Sequence, residues 1–343
     1  MVEDSSMKEE FIMRYLRRIL ELDYKRMFAM IKRIHDRSGR SYLFILYDIF
    51  RCSRKFGSGY IDYGNFHFEE LSDDLKATYV TRLVNDEYCR LLNDPKSYDI
   101  VNDKTTFLKV YKDFAKRDFL DLREATYEDF LSFIKKYSEF IVKPVDQLCG
   151  SGIEKISINN NEKEVYERLM NNKQYLLEEL IIQDESMACL NPSSINTIRV
   201  VTILKNNEVY TPFIALRMGR SGVVVDNFNH GGLNALVDEN GLVYTVGVSK
   251  DEKEYEYHPD SNILIKGFKI KDFDEVIRTA KAVALVTPSL GMCGWDMCLS
   301  KDKGVVVIEG NHLPGYDLYQ CYGHRPADKK GKKPIFDAII YGD

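Results

Sequence analysis

The sequence predicts an α+β protein in which a mostly helical unit comes first. Within residues 9–37 the apolar side chains recur at helical spacing, and this pattern ends near Gly39. From Asn102 onward, short β-rich runs alternate with helical segments and are separated by turn signals. We therefore expect a mostly helical N-terminal domain over residues 1–100, followed by α+β structure.

Composition and charge narrow the classes of function. The chain has 343 residues, 44% of them hydrophobic, which is enough for two or three packed units. Its formal charge of -5 gives no general reason to bind nucleic acid or an anionic membrane, so any basic site must be local. The apolar runs are too short for a membrane span, and the acidic first residues do not form a signal peptide. We expect a cytoplasmic protein.

The cysteine and histidine patterns exclude two common kinds of site. Seven cysteines occur without a CxxC pair, which favours reduced thiols over a disulfide framework or a zinc ribbon. Six histidines lack HExxH spacing, which removes the commonest zinc-hydrolase pattern.

Helices are predicted first in the N-terminal domain. Residues 9–37 form one or two amphipathic helices, which we interpret as parts of a packed domain rather than as a membrane-surface helix. A second helix covers residues 42–54, and Ser72 is a plausible N-cap for a helix that continues through Leu92.

Beyond this domain, helices and strands alternate. Helical periodicity indicates helices over residues 105–117, 127–137, 162–170 and 273–286. β-rich composition indicates strands over residues 139–145, 152–158, 175–182, 196–204, 209–217, 223–226 and 242–248.

A hairpin near residue 300 is the most informative segment. The turn signal at residues 302–304 lies between two β-rich runs, and an antiparallel register centred there places Asp296 opposite Glu309. Asn311 then projects from the same face as Glu309 because side chains alternate along a strand. Two carboxylates and an amide oxygen on one face are the hard oxygen ligands that Mg²⁺ accepts.

The same register makes a prediction about the opposite face of the hairpin. Val306 and Ile308 should point away from Glu309 into a core. The alternative is a half-buried hairpin with a polar outer face and no metal.

Lys143 lies at the end of a predicted buried strand, just before Gly150-Ser151-Gly152. A lysine and a glycine-rich loop in this arrangement can place one cation and backbone N–H groups on phosphate oxygens. The segment is not a P-loop, because the Gly-Lys-Ser/Thr and following helix are missing. An exposed strand-end lysine followed by an ordinary turn remains the alternative.

The strand at residues 175–182 carries two adjacent acids, Glu178 and Glu179, and ends in a polar segment. Its edge could offer backbone groups to an adenine ring, with an acid near the amino group or the ribose. The alternative is a purely structural strand.

Taken in order, these segments resemble the ATP-grasp superfamily, above all its sugar-transfer associated branch, related to α-L-glutamate ligases. The resemblance covers about residues 103–319. It implies two α+β subdomains that enclose ATP, over residues 101–182 and 183–343. The motifs that carry it are Ser194-Ile195-Asn196-Thr197-Ile198-Arg199, Leu216-Arg217-Met218-Gly219, Val225-Asp226-Asn227-Phe228-Asn229-His230-Gly231-Gly232 and Gly294-Trp295-Asp296.

The resemblance implies a role for each matching residue. ATP would be held by phosphate-binding lysines, a mobile glycine loop, an adenine-binding hinge and a residue near the ribose: Lys104 and Lys143; Gly150, Ser151 and Gly152; Glu178, Glu179, Leu180 and Ile181; and Gln183. One or two Mg²⁺ ions would be bound by Asp296, Glu309 and Asn311. Asp184 follows Gln183 where this branch often has histidine, which leaves the ribose contact open.

Three further residues are candidates for catalysis. Arg199 and Arg217 lie on adjacent predicted strands, and cations are needed where charge develops on a transferring phosphoryl group. The alternative is that both arginines pair with surface acids. Asn229, in the motif that also holds Asn227 and His230, would orient the substrate or the γ-phosphate.

The implied activity is that of an ATP- and Mg²⁺-dependent carboxylate-amine (or thiol) ligase that forms an acyl phosphate and releases ADP. Its substrates would be small or sugar-linked carboxylates and amines, in the setting of polysaccharide or glycoconjugate modification. The alternatives are a phosphotransferase on the same fold and a non-catalytic nucleotide-binding protein. The basic residues 325–333 are interpreted as a solvated charge run, and the alternative is that they attract an anionic substrate. The oligomeric state is open.

Overall fold

The computed structural model describes residues 23–143, 153–220 and 231–342. Its α-helices, in chain order, are α1 Tyr24–Ser38, α2 Tyr42–Phe56, α3 Tyr60–Asn65, α4 Asp73–Lys76, α5 Arg82–Leu92, α6 Tyr98–Asn102, α7 Lys104–Val110, α8 Lys112–Ala115, α9 Tyr127–Lys136, α10 Glu162–Asn171, α11 Glu185–Ala188, α12 Phe273–Ala284 and α13 Lys333–Tyr341. Its strands are β1 Phe119–Asp121, β2 Glu139–Lys143, β3 Glu154–Ser157, β4 Leu176–Glu179, β5 Thr197–Lys205, β6 Glu208–Met218, β7 Leu233–Leu236, β8 Gly247–Ser249, β9 Glu254–Tyr255, β10 Met292–Ser300 and β11 Gly304–Asn311. Within these ranges, none of the helices combines the length and apolar character needed to cross a bilayer.

The first two helices form a hairpin with well-defined caps. The Asp23 carboxylate accepts the Arg26 N–H at the start of α1, and Gly39 ends the helix in the left-handed conformation with a φ of 69°. Ser41 then caps α2. The predicted end of α1 near residues 38–39 is therefore confirmed.

The single helix predicted from Ser72 through Leu92 is wrong. Ser72 does cap a helix, α4, but residues 77–81 separate it from α5. The physical reason is a side chain from the C-terminal part: Gln320 accepts the Val80 N–H at 3.2 Å and donates to the Val80 carbonyl at 2.5 Å. This amide binds backbone groups that a continuous helix would have paired internally.

The helix predicted over residues 105–117 is also shorter than expected. It consists of α7 and α8 and ends at Ala115, after which Lys116 adopts the left-handed conformation with a φ of 45°. The chain then turns into β1, a strand that the sequence pattern did not predict. This turn brings Arg117 into the protein interior, where it is 9% exposed.

The smaller sheet is antiparallel and has the strand order β1-β4-β2-β3. Helices α9 and α10 pack on it through an apolar cluster that includes Phe130, Phe140 and Leu169. Because β4 pairs on both sides, it is an interior strand.

The larger sheet is antiparallel as well, with the strand order β11-β10-β5-β6-β7-β8-β9. Helix α12 packs in the main core on one face, around Trp295 and Met297. Tyr319 and Phe336 cover part of the other face, the latter from α13, a helix that the sequence pattern did not predict. The strand predicted over residues 242–248 is reduced to β8, β7 and β9 were not predicted, and the strand predicted over residues 223–226 lies outside the described residues.

Asp62 joins the helical part of the chain to the C-terminal part. Its carboxylate is 2% exposed and accepts the backbone N–H groups of Gly59 and Arg82, each at 3.0 Å. The hydroxyl of Tyr316 donates to the other carboxylate oxygen at 2.6 Å. Burial raises the pKa of Asp62 to about 6, because these hydrogen bonds only partly offset desolvation.

We expect Asp62→Asn to remove one source of pH dependence in stability. The raised pKa means that the folded wild type holds a proton on Asp62 between pH 4 and 6 that the unfolded chain releases, so stability falls as the pH rises through this window. Asn retains the acceptor for the two N–H groups and does not titrate. The wild-type free energy of unfolding should therefore fall relative to the variant by about 3 kcal/mol across this window. Urea unfolding at several pH values measures this difference, and parallel curves for the two proteins would contradict it.

Candidate active site

The C-terminal hairpin has the predicted register around its polar residues. Asp296 on β10 lies opposite Glu309 on β11, and Gly294 lies opposite Asn311. Towards the turn the register shifts by one residue, so that Met297 pairs with Val307. This shift is a β-bulge, in which Ile308 is the extra residue.

The bulge overturns the prediction that Val306 and Ile308 point away from Glu309. Both instead pack with Cys298, on the face of the hairpin that carries Asp296, and with Ile181 from the segment after β4. The core residues are the neighbouring Val305 and Val307. Because two residues of β11 oppose one residue of β10 at the bulge, the alternation of side chains changes phase there.

A glycine separates the two candidate ligands on β11 because there is no room for a side chain. A Cβ atom at Gly310 would lie 2.8 Å from the ring of Trp295 and 2.9 Å from a methyl group of Val101. The backbone therefore packs directly against the core while Glu309 and Asn311 face the other way.

Two arginines from neighbouring strands meet the Asp296 carboxylate. Arg199 on β5 binds both of its oxygens, one of them from Nη2 at 2.7 Å, and Arg217 on β6 donates to Oδ2 at 2.5 Å. All three side chains are at least nine-tenths buried. Burial opposes ionisation, but the two guanidinium groups hold the pKa of Asp296 well below its ordinary value. The arginines thus pair with a buried acid, rather than with the surface acids of the alternative interpretation.

Glu309 is in a different electrostatic state from Asp296. Its side chain is open to solvent, and its carboxyl group lies within hydrogen-bonding distance of Asp296. Although part of this side chain reaches solvent, desolvation of the carboxyl group and repulsion from Asp296 raise the pKa of Glu309 above its ordinary value. The amide oxygen of Asn311 accepts the Leu313 N–H at 3.0 Å and retains a second lone pair. A solvent-open carboxylate with an under-compensated charge, beside further oxygen donors, fits a hard divalent cation.

Lys143 lies against a buried acid of the smaller sheet. Its ammonium group is 2.8 Å from Glu178 Oε1, and Arg117 Nε is 2.5 Å from Glu178 Oε2. Burial would raise the pKa of Glu178, but Arg117 and Lys143 outweigh it and hold this pKa at about 2. Lys143 therefore projects from the end of β2 in a defined position.

Arg117 connects this cluster to the β10–β11 hairpin. The sequence analysis did not identify Arg117 as a site residue. Besides Glu178, it donates to the carbonyl of Val307 at 2.9 Å and to that of Ile308 at 2.8 Å, at the bulge. Arg117 thus links the smaller sheet to β11 of the larger sheet, at the residue that precedes Glu309. No motif in the sequence marks Arg117, because its importance arises from a turn and a bulge that are far apart in the chain.

The first two residues of the predicted adenine hinge lie inside the smaller sheet. Since β4 is an interior strand, the backbones of Glu178 and Glu179 are paired within the sheet. The Glu179 carboxylate also accepts the Asp118 N–H at 3.0 Å and pairs with Lys303. Only from Leu180 onward does the segment leave the sheet, where Ile181 joins the apolar cluster of the hairpin.

The side chain of Gln183 forms hydrogen bonds within the protein. Its amide nitrogen donates to the carbonyls of Asn191 and Ser194 at 2.9 and 2.8 Å, and its oxygen accepts both nitrogen donors of Asn196. Both donor hydrogens are in use. The predicted ribose contact of Gln183 therefore finds no free donor in the described structure.

The remaining predicted residues are only partly described. Lys104 is the first residue of α7, directly after the N-cap Asp103. The glycine loop at Gly150, Ser151 and Gly152 lies outside the described residues, as does Asn229 with its neighbours Asn227 and His230.

Comparison with known families identifies the fold around this site. The model of the sugar-transfer associated ATP-grasp family matches residues 83–330, which is more than half of the chain. The chain belongs to this family. The matched range includes both sheets, Arg117, Lys143 and the complete β10–β11 hairpin. The predicted ATP-grasp fold, with a mostly helical N-terminal region, is thus confirmed.

Solved structures with detectable likeness to this ATP-grasp protein are distant. The ATP-grasp ligase PsnB complexed with minimal precursor shares 18% identity over 74% of this chain and 64% of that chain, with a TM-score of 0.43. D-alanyl-alanine synthetase A from Vibrio cholerae O1 biovar eltor str. N16961 shares 12% over 73% and 67%, with a TM-score of 0.44. D-alanine–D-alanine ligase from Bacillus anthracis shares 16% over 76% and 74%, with a TM-score of 0.42. The chain spans less than two thirds of PsnB, and no curated protein matches its sequence.

Proposed function

We propose that this ATP-grasp protein is an ATP- and Mg²⁺-dependent ligase that joins a carboxylate to an amine, or to a thiol, through an acyl phosphate. The observation that carries the proposal is the cluster of side chains at the β10–β11 hairpin. The solvent-open Glu309 lies beside Asp296 and Asn311. Arg199 and Arg217 both bind the Asp296 carboxylate. Phosphoryl transfer needs this combination of metal ligands and fixed positive charge.

Each group has a role in the proposed reaction. Glu309, Asp296 and Asn311 would hold Mg²⁺, which neutralises charge on the β- and γ-phosphates. Lys143 would bind phosphate oxygens, with Glu178 holding its ammonium group in place. Leu180 and Ile181 would contact the adenine, which fits the apolar cluster of Ile181, Val306 and Ile308.

The proposed chemistry has two steps and needs no covalent bond to the enzyme. A substrate carboxylate oxygen attacks the γ-phosphorus, the bond to the β-phosphate oxygen breaks, and ADP leaves. An amine nitrogen then attacks the acyl carbon, inorganic phosphate leaves, and the amine gives up a proton. Arg199 and Arg217 would stabilise negative charge in both steps, and the protein acts mainly by positioning. The family's description favours sugar-linked substrates, and ATP as a substrate favours the cytoplasm.

ADP release with a panel of carboxylates and amines tests the proposal. We expect full turnover only when one carboxylate and one amine are both present. Lys143→Gln should raise the KM for ATP at least about tenfold, because a phosphate contact is lost. Lys155→Gln, which removes a surface lysine of β3 paired with Glu139, should leave turnover unchanged.

Two outcomes would contradict the ligase proposal. A stable phosphorylated product that forms without an amine would indicate a phosphotransferase. Normal ATP binding without ADP release from any carboxylate and amine pair would indicate a non-catalytic nucleotide-binding protein.

A further inference from the structure

Helix α2 carries apolar side chains on two faces. One face is buried through Ile45, Ile49 and Cys52, as expected for a helix packed in a domain. The other exposes a stripe of Leu43, Leu46 and Tyr47, whose exposed fractions are 81%, 40% and 65%. On α1, Phe28 is 58% exposed as well. A helix that packs on one side only normally has polar residues on the other, and no contact among residues 23–143, 153–220 and 231–342 accounts for this second stripe.

The same two helices are the basic part of an acidic protein. Residues 24–56 contain nine lysines and arginines against two carboxylates, a net charge of +7, whereas the whole chain has a charge of -5. Some of these cations are paired within the protein, such as Arg37 with Glu69 and Arg51 with Asp73. Four exposed cations form no ion pair in the described residues: Lys25, Arg26, Arg40 and Arg54.

Two of these cations lie at the ends of the apolar stripe. Arg40 precedes α2, with its guanidinium 4.9 Å from the ring centroid of Phe44. Arg54 lies seven residues after Tyr47, two helical turns further along the same side of α2. Apolar side chains flanked by cations are typical of helices that bind in the interface of anionic membranes.

We propose that the α1–α2 hairpin is a docking surface for an anionic lipid bilayer. The apolar stripe enters the boundary between headgroups and acyl chains, and Arg40 and Arg54 meet the lipid phosphates. Charge complementarity favours this occupant over a second copy of the chain, because two such hairpins face to face would bring together like charges. It also favours a bilayer over nucleic acid, since the largest exposed side chains are apolar. This inference is independent of the proposed ligase function.

Vesicle flotation with the full chain tests the proposal. We expect binding to vesicles of phosphatidylcholine with about one third phosphatidylglycerol, little binding to phosphatidylcholine alone, and weaker binding as salt rises. Leu43→Glu with Tyr47→Glu should weaken binding more than about tenfold, and so should Arg40→Glu with Arg54→Glu. The matched control is Leu285→Glu, at an exposed leucine (51%) after α12, which should bind like the wild type.

Several results would overturn the proposal. Absence of binding to the anionic vesicles at low salt is one, and equal binding by the Leu43 and Tyr47 variant is another. A concentration-dependent dimer in light scattering, lost in that variant, would assign the stripe to a second copy. Tighter binding to duplex DNA than to vesicles, lost only in the arginine variant, would assign the surface to nucleic acid. The four substituted side chains are all exposed, so the thermal unfolding curves of both double variants should stay close to that of the wild type.

Discussion

Glu309→Gln is expected to lower Mg²⁺-dependent turnover at least about a hundredfold while leaving the folded state intact. Glutamine keeps the size of the side chain but removes the negative charge that would bind the metal. The surroundings of Glu309 disfavour its charged form and so raise its pKa, and glutamine removes this unfavourable charge. The free energy of unfolding without metal should therefore stay equal or rise. ADP release measures the first effect, and urea unfolding measures the second.

Asp296→Asn provides the comparison that separates a metal site from a structural hairpin. Asp296 is held in ion pairs, so its substitution should also lower the stability of the fold. The substitution would remove the buried carboxylate that Arg199 and Arg217 share, at a cost of about 3–5 kcal/mol. Near-wild-type turnover in Glu309→Gln, together with lower stability, would contradict the metal assignment.

Arg117→Met is expected to destabilise the protein by about 3 kcal/mol or more. The substitution leaves the buried Glu178 with Lys143 as its one remaining cation and removes the hydrogen bonds to the carbonyls of Val307 and Ile308. Arg117→Lys should recover only part of this loss, because an ammonium group cannot reach both the carboxylate and the two carbonyls in the same planar geometry. Urea unfolding of the wild type, Arg117→Lys and Arg117→Met measures whether their stabilities decrease in this order.

A second measurement distinguishes positioning by Arg117 from plain stabilisation. We expect the KM for ATP to rise in Arg117→Lys at temperatures where the variant is fully folded, because Glu178 then holds Lys143 less firmly. Unchanged ATP kinetics in the folded Arg117→Lys variant would limit Arg117 to a structural role.

The local parts of the site were predictable, because they depend on residues close together in sequence. The turn at residues 302–304 and the two-residue alternation suffice to place Asp296 opposite Glu309. The bulge at Ile308 could not be predicted in the same way, since a single inserted residue leaves composition and turn signals unchanged. The prediction therefore placed Val306 and Ile308 on the wrong face.

Contacts with residues outside the local sequence pattern account for the other differences. The break between α4 and α5 depends on Gln320, which lies 240 residues after Val80. The hydrogen bonds of Gln183 are likewise made with a loop whose path is not encoded in its neighbours. The Gln320 amide takes the place of a helical backbone partner, and the Gln183 amide binds the protein instead of a ribose. The sequence pattern indicates neither.

The position of Arg117 restricts how the two sheets could move apart to admit a nucleotide. One guanidinium holds the smaller sheet through an acid and the larger sheet through two carbonyls, so the sheets cannot separate at that point without breaking charged bonds in a dry interior. We therefore expect any opening between the sheets to be a rotation about this point, with a gap that widens with distance from it. Glu309, one residue from this point, would then move little, so the proposed metal ligands would keep their position while the more distant parts of the two sheets move apart.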